Sequence, residues 1–208
     1  DGGSILYAST HLSGVACPPR PDMSQGYIWP LYSSFDIFKV RLSDGQLTRL
    51  TDTPGYDAEA TLSPDGKTVI FTRVGEGDID LYTMDLEGRN VKRLTSTPGY
   101  DGGAFFSHDG KKIVWRASRP EGADLEDFRG LLKREMVRPS RLDIYVANAD
   151  GSAPKRLTNN GAANFGPFFL PDDSGVIFAS NMDDPKGRDF ELYTIKIDGT
   201  GLTRITYN

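Results

Sequence analysis

Three oxygen-bearing side chains occupy one position of a phrase that the sequence repeats. Asp57 and Asp101 each follow a Gly-Tyr pair, and Asn164 takes the matching place in a looser copy. Glu59 lies two residues after Asp57, a spacing that places two side chains on the same face of a strand. Ligand sets made only of oxygen atoms suit Ca²⁺ or Mg²⁺. If the copies surround a common axis, the pattern predicts a divalent-cation site with Asp57 and Asp101 as its first ligands.

The same side chains have a second interpretation that needs no metal. Short polar residues beside a strand often bind backbone groups of their own loop. Asp57, Asp101 and Asn164 would then each cap a loop within one copy of the repeat. The sequence leaves both interpretations open.

A serine, a histidine and an aspartate are consecutive at residues 107–109, and these are the residue types of a hydrolytic triad. They stand, however, where the preceding copy has Ser63, Pro64 and Asp65, which begin a Pro-Asp-Gly turn. The sequence has two histidines and one cysteine, and it contains no Gly-x-Ser-x-Gly elbow, His-Glu-x-x-His helix or phosphate loop. We therefore interpret residues 107–109 as a turn and expect no catalytic residue.

These interpretations rest on two phrases that recur along the chain. The first is PGYDAEATLSPDGKTVIFTRV at 54–74, which returns as PGYDGGAFFSHDGKKIVWRAS at 98–118 and, more loosely, as GAANFGPFFLPDDSGVIFAS at 161–180. The second ends in Leu-Thr or Ile-Thr four times, at Leu50, Leu94, Leu157 and Ile205. Self-similarity at about 40–50 residues is typical of β-propeller blades.

One copy shows what each unit contains. Within residues 56–95, four short segments are alternating or rich in β-branched and aromatic residues, and turn signals such as Pro64-Asp65-Gly66 separate them. The sequence therefore predicts an all-β protein, a β-propeller of four-stranded antiparallel blades with about four blades visible. The predicted units are a partial blade at 1–55 and full blades at 56–95, 100–158 and 163–206.

The repeats resemble those of TolB-like propellers, which are related in architecture to WD40-like propellers. The SPDGK turn, the strand that begins (D/E)-(I/L)-(Y/F), and the DGS or DGT hairpin followed by RLT or RIT carry this resemblance. It covers nearly the whole chain outside two insertions. It implies that the strand before SPDG lines a central channel and that the units belong to a six-bladed propeller, longer than the visible chain. A compact four-bladed ring is the alternative.

The first insertion, residues 11–35, is rich in proline and aromatic residues. Binding residues concentrate on long loops that a rigid scaffold holds in place. Tyr27, Trp29 and Tyr32 are therefore predicted partner-binding residues. The alternative is that these rings pack down and cap the blade or the channel.

The second insertion, residues 119–141, has the apolar spacing of a helix. Leu125, Phe128, Leu132 and Met136 recur every three or four residues, and Asp124 can cap the helix. Such a stripe either docks a partner, with Leu125, Phe128 and Leu132 as contacts, or rests on the parent domain. Because both insertions interrupt the same connection of their blades, both are expected to emerge on one rim.

Composition narrows the classes of function. The net charge is −5 and no Lys/Arg cluster stands out, which argues against nucleic-acid binding. A single cysteine, Cys17, excludes an intrachain disulfide and a cysteine-rich metal site. No apolar run approaches the roughly 20 residues of a membrane span, so the visible chain has no transmembrane segment.

The predicted function is a non-catalytic scaffold for protein–protein interaction. Resemblance to TolB-like proteins implies the bacterial cell envelope, in the periplasm, where such a propeller docks on a partner or serves as an extrinsic subunit of a membrane-associated complex. One alternative is the substrate-gating propeller domain of a prolyl-oligopeptidase-like serine peptidase. The other is a metal-dependent carbohydrate-active propeller.

Overall fold

The computed structural model of the chain describes residues 2–22, 24, 26–186 and 189–207. Its elements in chain order are β1 (Ser4–Ser9), β2 (Trp29–Pro30), β3 (Asp36–Arg41), β4 (Leu47–Arg49), β5 (Asp57–Leu62), β6 (Thr68–Gly75), β7 (Asp78–Asp85), β8 (Lys92–Arg93), β9 (Asp101–Phe106), β10 (Lys112–Ala117), α1 (Gly122–Leu132), β11 (Met136–Val137), β12 (Asp143–Asn148), β13 (Lys155–Arg156), β14 (Asn164–Phe169), β15 (Gly175–Ser180), β16 (Glu191–Lys196) and β17 (Thr203–Arg204).

The strands form successive antiparallel sheets, one for each copy of the repeat. The first sheet has the order β1-β3-β4. The second, third and fourth have four strands each, in the orders β5-β6-β7-β8, β9-β10-β12-β13 and β14-β15-β16-β17. A further two-stranded sheet pairs β2 with β11. The prediction of an all-β protein made of four-stranded antiparallel blades is confirmed.

Alternating side chains of the middle strands bind neighbouring sheets together. Phe71 of β6 packs with Ile37 of the first sheet, whereas the adjacent Ile70 packs with Trp115 of the third. This alternation follows from the two-residue period of a strand. Because both faces of an inner sheet are covered, the centre of β6 has three consecutive buried apolar residues, Val69, Ile70 and Phe71. The strands β1, β5, β9 and β14 contact one another in that order.

A clamp joins the last two strands of the sheet in each copy of the repeat and explains the repeated Arg-Leu-Thr or Arg-Ile-Thr phrase. In the second sheet, Asp80 accepts hydrogen bonds from Arg93 Nη2 at 2.6 Å and from Thr95 Oγ1 at 3.0 Å. Thr95 Oγ1 accepts the N–H of Leu81 at 2.9 Å, and Arg93 Nε donates to the Thr95 carbonyl at 2.8 Å. The same bonds recur around Asp36, Asp143 and Glu191. The acidic residue of this phrase therefore has a structural role.

The helix α1 is 11 residues long. Within the part of the chain that the structure describes, no helix has the length and apolar character needed to cross a membrane.

Candidate functional site

The two carboxylates predicted as metal ligands are held by arginines of their own repeats. Asp57 is 1% exposed and accepts two bonds from Arg73, with Nε 2.6 Å from Oδ1 and Nη2 2.7 Å from Oδ2. Asp101 Oδ1 accepts from Trp115 Nε1 at 2.5 Å and from Arg119 Nη2 at 2.6 Å. Burial raises the pKa of both carboxyl groups, and the arginines oppose that shift.

Asn164, at the equivalent position of the fourth sheet, has a third set of partners. Its Nδ2 donates to the Leu142 carbonyl at 2.7 Å and to Asn160 Oδ1 at 3.0 Å. Asn164 therefore binds a backbone carbonyl, whereas Asp57 and Asp101 bind arginine and indole side chains, so the structure does not show the two aspartates capping their own loops. Among the described residues, no group of three His, Cys, Asp or Glu could hold a metal ion. The predicted divalent-cation site gains no support from this geometry.

The consecutive serine, histidine and aspartate form a turn. Ser107 Oγ donates to Asp109 Oδ1 at 2.8 Å, within the turn between β9 and β10. His108 Nδ1 lies 2.8 Å from Asp173 Oδ1 in the next sheet, and Asp173 also accepts the backbone N–H groups of 108 and 109. Because the imidazole is bound to Asp173 and not to Ser107, the three residues do not form a proton relay.

The innermost strand of each four-stranded sheet contains a β-bulge at the same repeat position. Residues 59–60, 103–104 and 166–167 each stand opposite one residue of the next strand. The first residue of each bulge is left-handed, with φ of 55° at Glu59, 62° at Gly103 and 55° at Gly166. Glycine adopts this conformation freely, whereas a residue with a side chain does so at a cost of about 1 kcal/mol. The second sheet alone among these three places a side chain there.

The bulge corrects the expectation that Glu59 shares a face with Asp57, because the extra residue breaks the two-residue period. The Glu59 side chain instead reaches the third sheet. Its Oε1 forms an ion pair with Arg116 Nη2, and its Oε2 accepts from Thr72 Oγ1 at 2.9 Å and Tyr100 Oη at 3.2 Å. Arg116 Nη2 also donates to Tyr100 Oη at 2.8 Å. We call these three residues the Glu59–Tyr100–Arg116 cluster.

The cluster is buried and charged. Arg116 is 8% exposed, and its Nε is buried without a hydrogen-bond partner among the described residues. Burial lowers the pKa of Arg116, but the effects of Tyr100 and Glu59 raise it by more than burial lowers it. The guanidinium therefore stays charged. Burial, followed by the charge of Glu59, raises the pKa of Tyr100, so its hydroxyl stays protonated.

Two glycines of the third sheet make room for this cluster. A Cβ atom at Gly103 would collide with the Arg116 guanidinium, and one at Gly102 would collide with the Tyr100 hydroxyl. The Gly102-Gly103 pair, which replaces Ala58-Glu59 of the preceding copy, is therefore required by the cluster as well as by the bulge.

The two insertions meet on one rim, as the sequence predicts. β2 of the first insertion pairs antiparallel with β11 of the second, with Trp29 opposite Val137 and Pro30 opposite Met136. Met136 therefore lies in a strand, which corrects its predicted place on the helix. The half-buried Trp29 ring lies 6.4 Å from the Tyr100 ring, so this paired segment sits beside the cluster.

The helix α1 packs its apolar stripe on the parent domain. Phe128 and Leu132 are buried in a core that includes Tyr100, and Leu125 packs against the same core. These predicted partner-binding side chains are thus inside the chain, and the alternative interpretation describes their place. Asp124 lies in the first turn of the helix and the N-cap position belongs to Glu121, which corrects the predicted cap.

The three aromatic residues predicted to bind a partner have different surroundings. Tyr27 is 65% exposed, and its hydroxyl accepts a hydrogen bond from Trp29 Nε1 at 3.0 Å. The Tyr32 hydroxyl donates to the Pro19 carbonyl, and its ring stacks on Phe35 with centroids 6.4 Å apart. Of the three, Tyr27 is the side chain that projects most into solvent.

An aromatic cavity lies between the first insertion and the cluster, and we call it the rim slot. Its volume is about 390 Å³, and its lining is formed by Trp29, Pro30, Leu31, Tyr32, Phe35, Tyr56 and the Glu59–Tyr100–Arg116 cluster. Burial, followed by the charge of Glu59, raises the pKa of Tyr56, so its hydroxyl stays protonated. The rim slot is therefore lined by aromatic rings, one carboxylate, one guanidinium and the phenol groups of tyrosines.

Sequence reasoning missed Tyr56, Tyr100 and Arg116. A signal for the tyrosines was present, because each immediately precedes an aspartate of the repeated Gly-Tyr-Asp triplet. Aligning the copies also places Glu59 against Gly103 and Gly166, which marks the glutamate as the exception. Arg116 has no such signal, because its place beside Glu59 depends on the bulge.

Comparison with known proteins identifies the fold. TolB from Acinetobacter baumannii superposes with a TM-score of 0.62 and 25% identity, over 83% of this chain and 38% of that one. A TolB protein of Agrobacterium tumefaciens gives a TM-score of 0.62 and 23% identity, over 82% of this chain and 56% of that one. The chain has the fold of a TolB-like propeller.

The same architecture occurs outside TolB. Hydrazine synthase of Kuenenia stuttgartiensis matches with a TM-score of 0.72 and 16% identity, over 98% of this chain and 32% of that one. The chain spans about a third to just over half of the length of these three proteins. No family model and no curated protein matches the sequence.

Proposed function

We propose that the chain is a non-catalytic interaction scaffold that docks a protein partner on the rim formed by its two insertions. The observation that carries the proposal is the β2–β11 pairing, which joins the insertions into one structure. The first insertion also presents exposed apolar side chains at Leu12, Val15 and Tyr27. Exposed large apolar side chains on a long loop are available for contact with a partner, and a loop held in place loses less entropy on binding.

The likeness in fold to TolB proteins supports an envelope setting. We propose the bacterial periplasm, with a partner that belongs to a membrane-associated complex. Hydrazine synthase shares the architecture, so the fold by itself selects no function. The proposal therefore depends on the rim.

Site-specific photo-crosslinking tests the rim directly. A photoreactive phenylalanine analogue is placed at Tyr27, or at Tyr207 as a matched position that is 74% exposed and lies outside both insertions. In the cells that make the protein, we expect a discrete protein adduct from position 27 and none from position 207. Equal labelling at both positions, or no adduct at 27, would contradict docking on the rim.

A set of surface substitutions complements this experiment. Leu12→Ser, Val15→Ser and Tyr27→Ser together should reduce partner retention, because all three side chains are exposed and none belongs to the core. Deletion of the helix is a poorer test, since Phe128 and Leu132 are part of the core. Leu202→Ser with Tyr207→Ser is the matched control, and an equal loss of retention in the control would argue against the rim.

A further inference from the structure

The lining of the rim slot contains two groups of neighbouring aromatic rings. Tyr32, Phe35 and Tyr56 follow one another, with centroid separations of 6.4 Å and 5.6 Å. Trp29 and Tyr100 form a second group, 6.4 Å apart. A volume of about 390 Å³ lies in the range of small-molecule sites. The slot can therefore offer aromatic surface to a flat, partly apolar group.

The slot also contains polar atoms that the protein leaves open. Arg116 is not one of them, because its Nη2 binds Glu59 and Tyr100 and its Nε is buried. Glu59 Oε1 has one described partner, and a carboxylate oxygen can accept two. The Tyr56 hydroxyl adds a group that can both donate and accept. A ligand here would meet donors and acceptors together.

The charges of the slot cancel. The carboxylate of Glu59 and the guanidinium of Arg116 form an ion pair. Arg116 also lies over the rings of Trp29 and Tyr100, at 5.4 Å and 5.5 Å from their centroids, so the cation–π position is already occupied. A cationic ligand would be repelled by Arg116, and an anionic ligand would be repelled by Glu59. The slot therefore favours an uncharged ligand.

A wholly apolar ligand fits no better than a charged one. It would cover the open polar atoms of Glu59 and Tyr56 without replacing their water, and buried polar groups without partners are unfavourable. The ligand must present an apolar face to the rings and hydroxyl groups to the polar side. We propose that the rim slot binds a neutral sugar ring, whose C–H face and hydroxyl groups meet these two requirements.

The backbone around the slot supports a binding role for Glu59. The bulge needs a left-handed residue, and the third and fourth sheets meet that need with Gly103 and Gly166. In the second sheet the same position carries a carboxylate that lines the slot. Backbone strain of this kind is concentrated at ligand sites, where the side chain contributes something that glycine cannot.

Two-dimensional ¹H–¹⁵N NMR of the tryptophan indoles tests the proposal. The chain has two tryptophans, and Trp115 is 1% exposed with its indole N–H bonded to Asp101, so it serves as an internal reference. The probes are glucose, galactose, mannose, N-acetylglucosamine and their β-1,4-linked disaccharides. We expect at least one of them to shift the Trp29 indole signal saturably, with a Kd of roughly 1 mM, and to leave Trp115 unchanged.

Three variants sharpen the measurement. Glu59→Gly keeps a residue suited to the bulge and removes the carboxylate, so affinity should fall about tenfold. Tyr56→Phe keeps the ring and should weaken binding about threefold, which provides a second readout if Glu59→Gly fails to fold. Tyr207→Ala, far from the slot in sequence and not among its lining residues, should bind as the unmodified chain does.

Several results would overturn the proposal. One is the absence of any Trp29 shift up to roughly 50 mM of every saccharide. Another is a shift with N-acetyltyrosinamide but with no sugar, which would assign the slot to a peptide side chain. Equal binding of glucuronate or glucosamine, or unchanged affinity in both slot variants, would also exclude it. None of these outcomes depends on the partner-docking experiment at Tyr27.

Discussion

The bulges of the second and third sheets share a backbone and differ in the residue that occupies it. In the third sheet Gly103 meets the requirement for positive φ and leaves space for the Arg116 guanidinium. In the second sheet Glu59 has nearly the same φ, 55° against 62°, and its side chain crosses to Arg116. The left-handed backbone at this position is common to the sheets, whereas the glutamate side chain is specific to the second sheet and lines the slot.

The clamp of the outer strands gives the opposite case. Its acid, arginine and threonine recur in each of the four sheets with the same bonds. A feature found in every copy of the repeat indicates a structural role. A residue that differs in one copy, although it strains the backbone there, indicates a ligand-binding role. Substitutions at the two kinds of position should therefore have different consequences.

The largest loss of stability is expected at the clamp. Asp80→Ala removes a fully buried carboxylate and leaves Arg93 and Thr95 without their common acceptor. The free energy of unfolding should fall by about 3 kcal/mol, measured by urea titration at pH 7. Glu87→Ala, at an exposed turn position, should change it by about 0.5 kcal/mol or less. A similar small change for Asp80→Ala would show that the clamp is not a stabilising feature.

The pH dependence of the clamp is the next effect. Burial raises the pKa of Asp80 to about 6, against the attraction of Arg93. Because the folded-state pKa lies above the unfolded value of 3.8, the part of the stability that depends on protonation of Asp80 is present below about pH 4 and is lost as pH rises through about 6. The unfolding free energy of the unmodified chain relative to Asp80→Asn should therefore fall over this window, by roughly 3 kcal/mol at most. A difference that rises with pH would mean that pairing with Arg93 outweighs burial.

Alanine substitutions at the two glycine bulges distinguish the cost of backbone strain from the cost of a steric clash. Gly166→Ala introduces a left-handed alanine with nothing within 4 Å of its Cβ, so it should cost about 1 kcal/mol. Gly103→Ala carries the same strain and also displaces Arg116, so we expect roughly 2–3 kcal/mol. Thermal and urea unfolding of both variants provide the comparison. Equal losses would contradict the claim that Arg116 requires this glycine.

Most of the fold could be predicted from the sequence because its signals are local and repeated. The Asp-Gly turns, the alternating strands and the shared rim of the insertions follow from turn chemistry, side-chain period and the position of each insertion in its repeat. The site could not be predicted in the same way. One extra residue in β5 turns Glu59 away from Asp57, and the arginines that hold Asp57 and Asp101 lie 16 and 18 residues further along the chain.

The same limit explains the outcome for α1. The spacing of Phe128 and Leu132 predicts a helix with an apolar face, but spacing alone does not say what covers that face. The structure places both side chains against Tyr100 and its neighbours. Met136 continues the spacing, yet it pairs with Pro30 in a strand, because the helix has already ended at Leu132.

The measurement that tests the comparison most directly is made on Glu59→Gly, with unfolding free energy and saccharide binding measured on the same preparation. Glycine relieves the left-handed strain of about 1 kcal/mol, but the buried Arg116 guanidinium loses its carboxylate partner, so the free energy of unfolding should fall by about 2–3 kcal/mol. Saccharide affinity, followed at the Trp29 indole, should fall about tenfold. The same loss of stability with unchanged affinity would contradict the account, because Glu59 would then serve only as a structural link between two sheets.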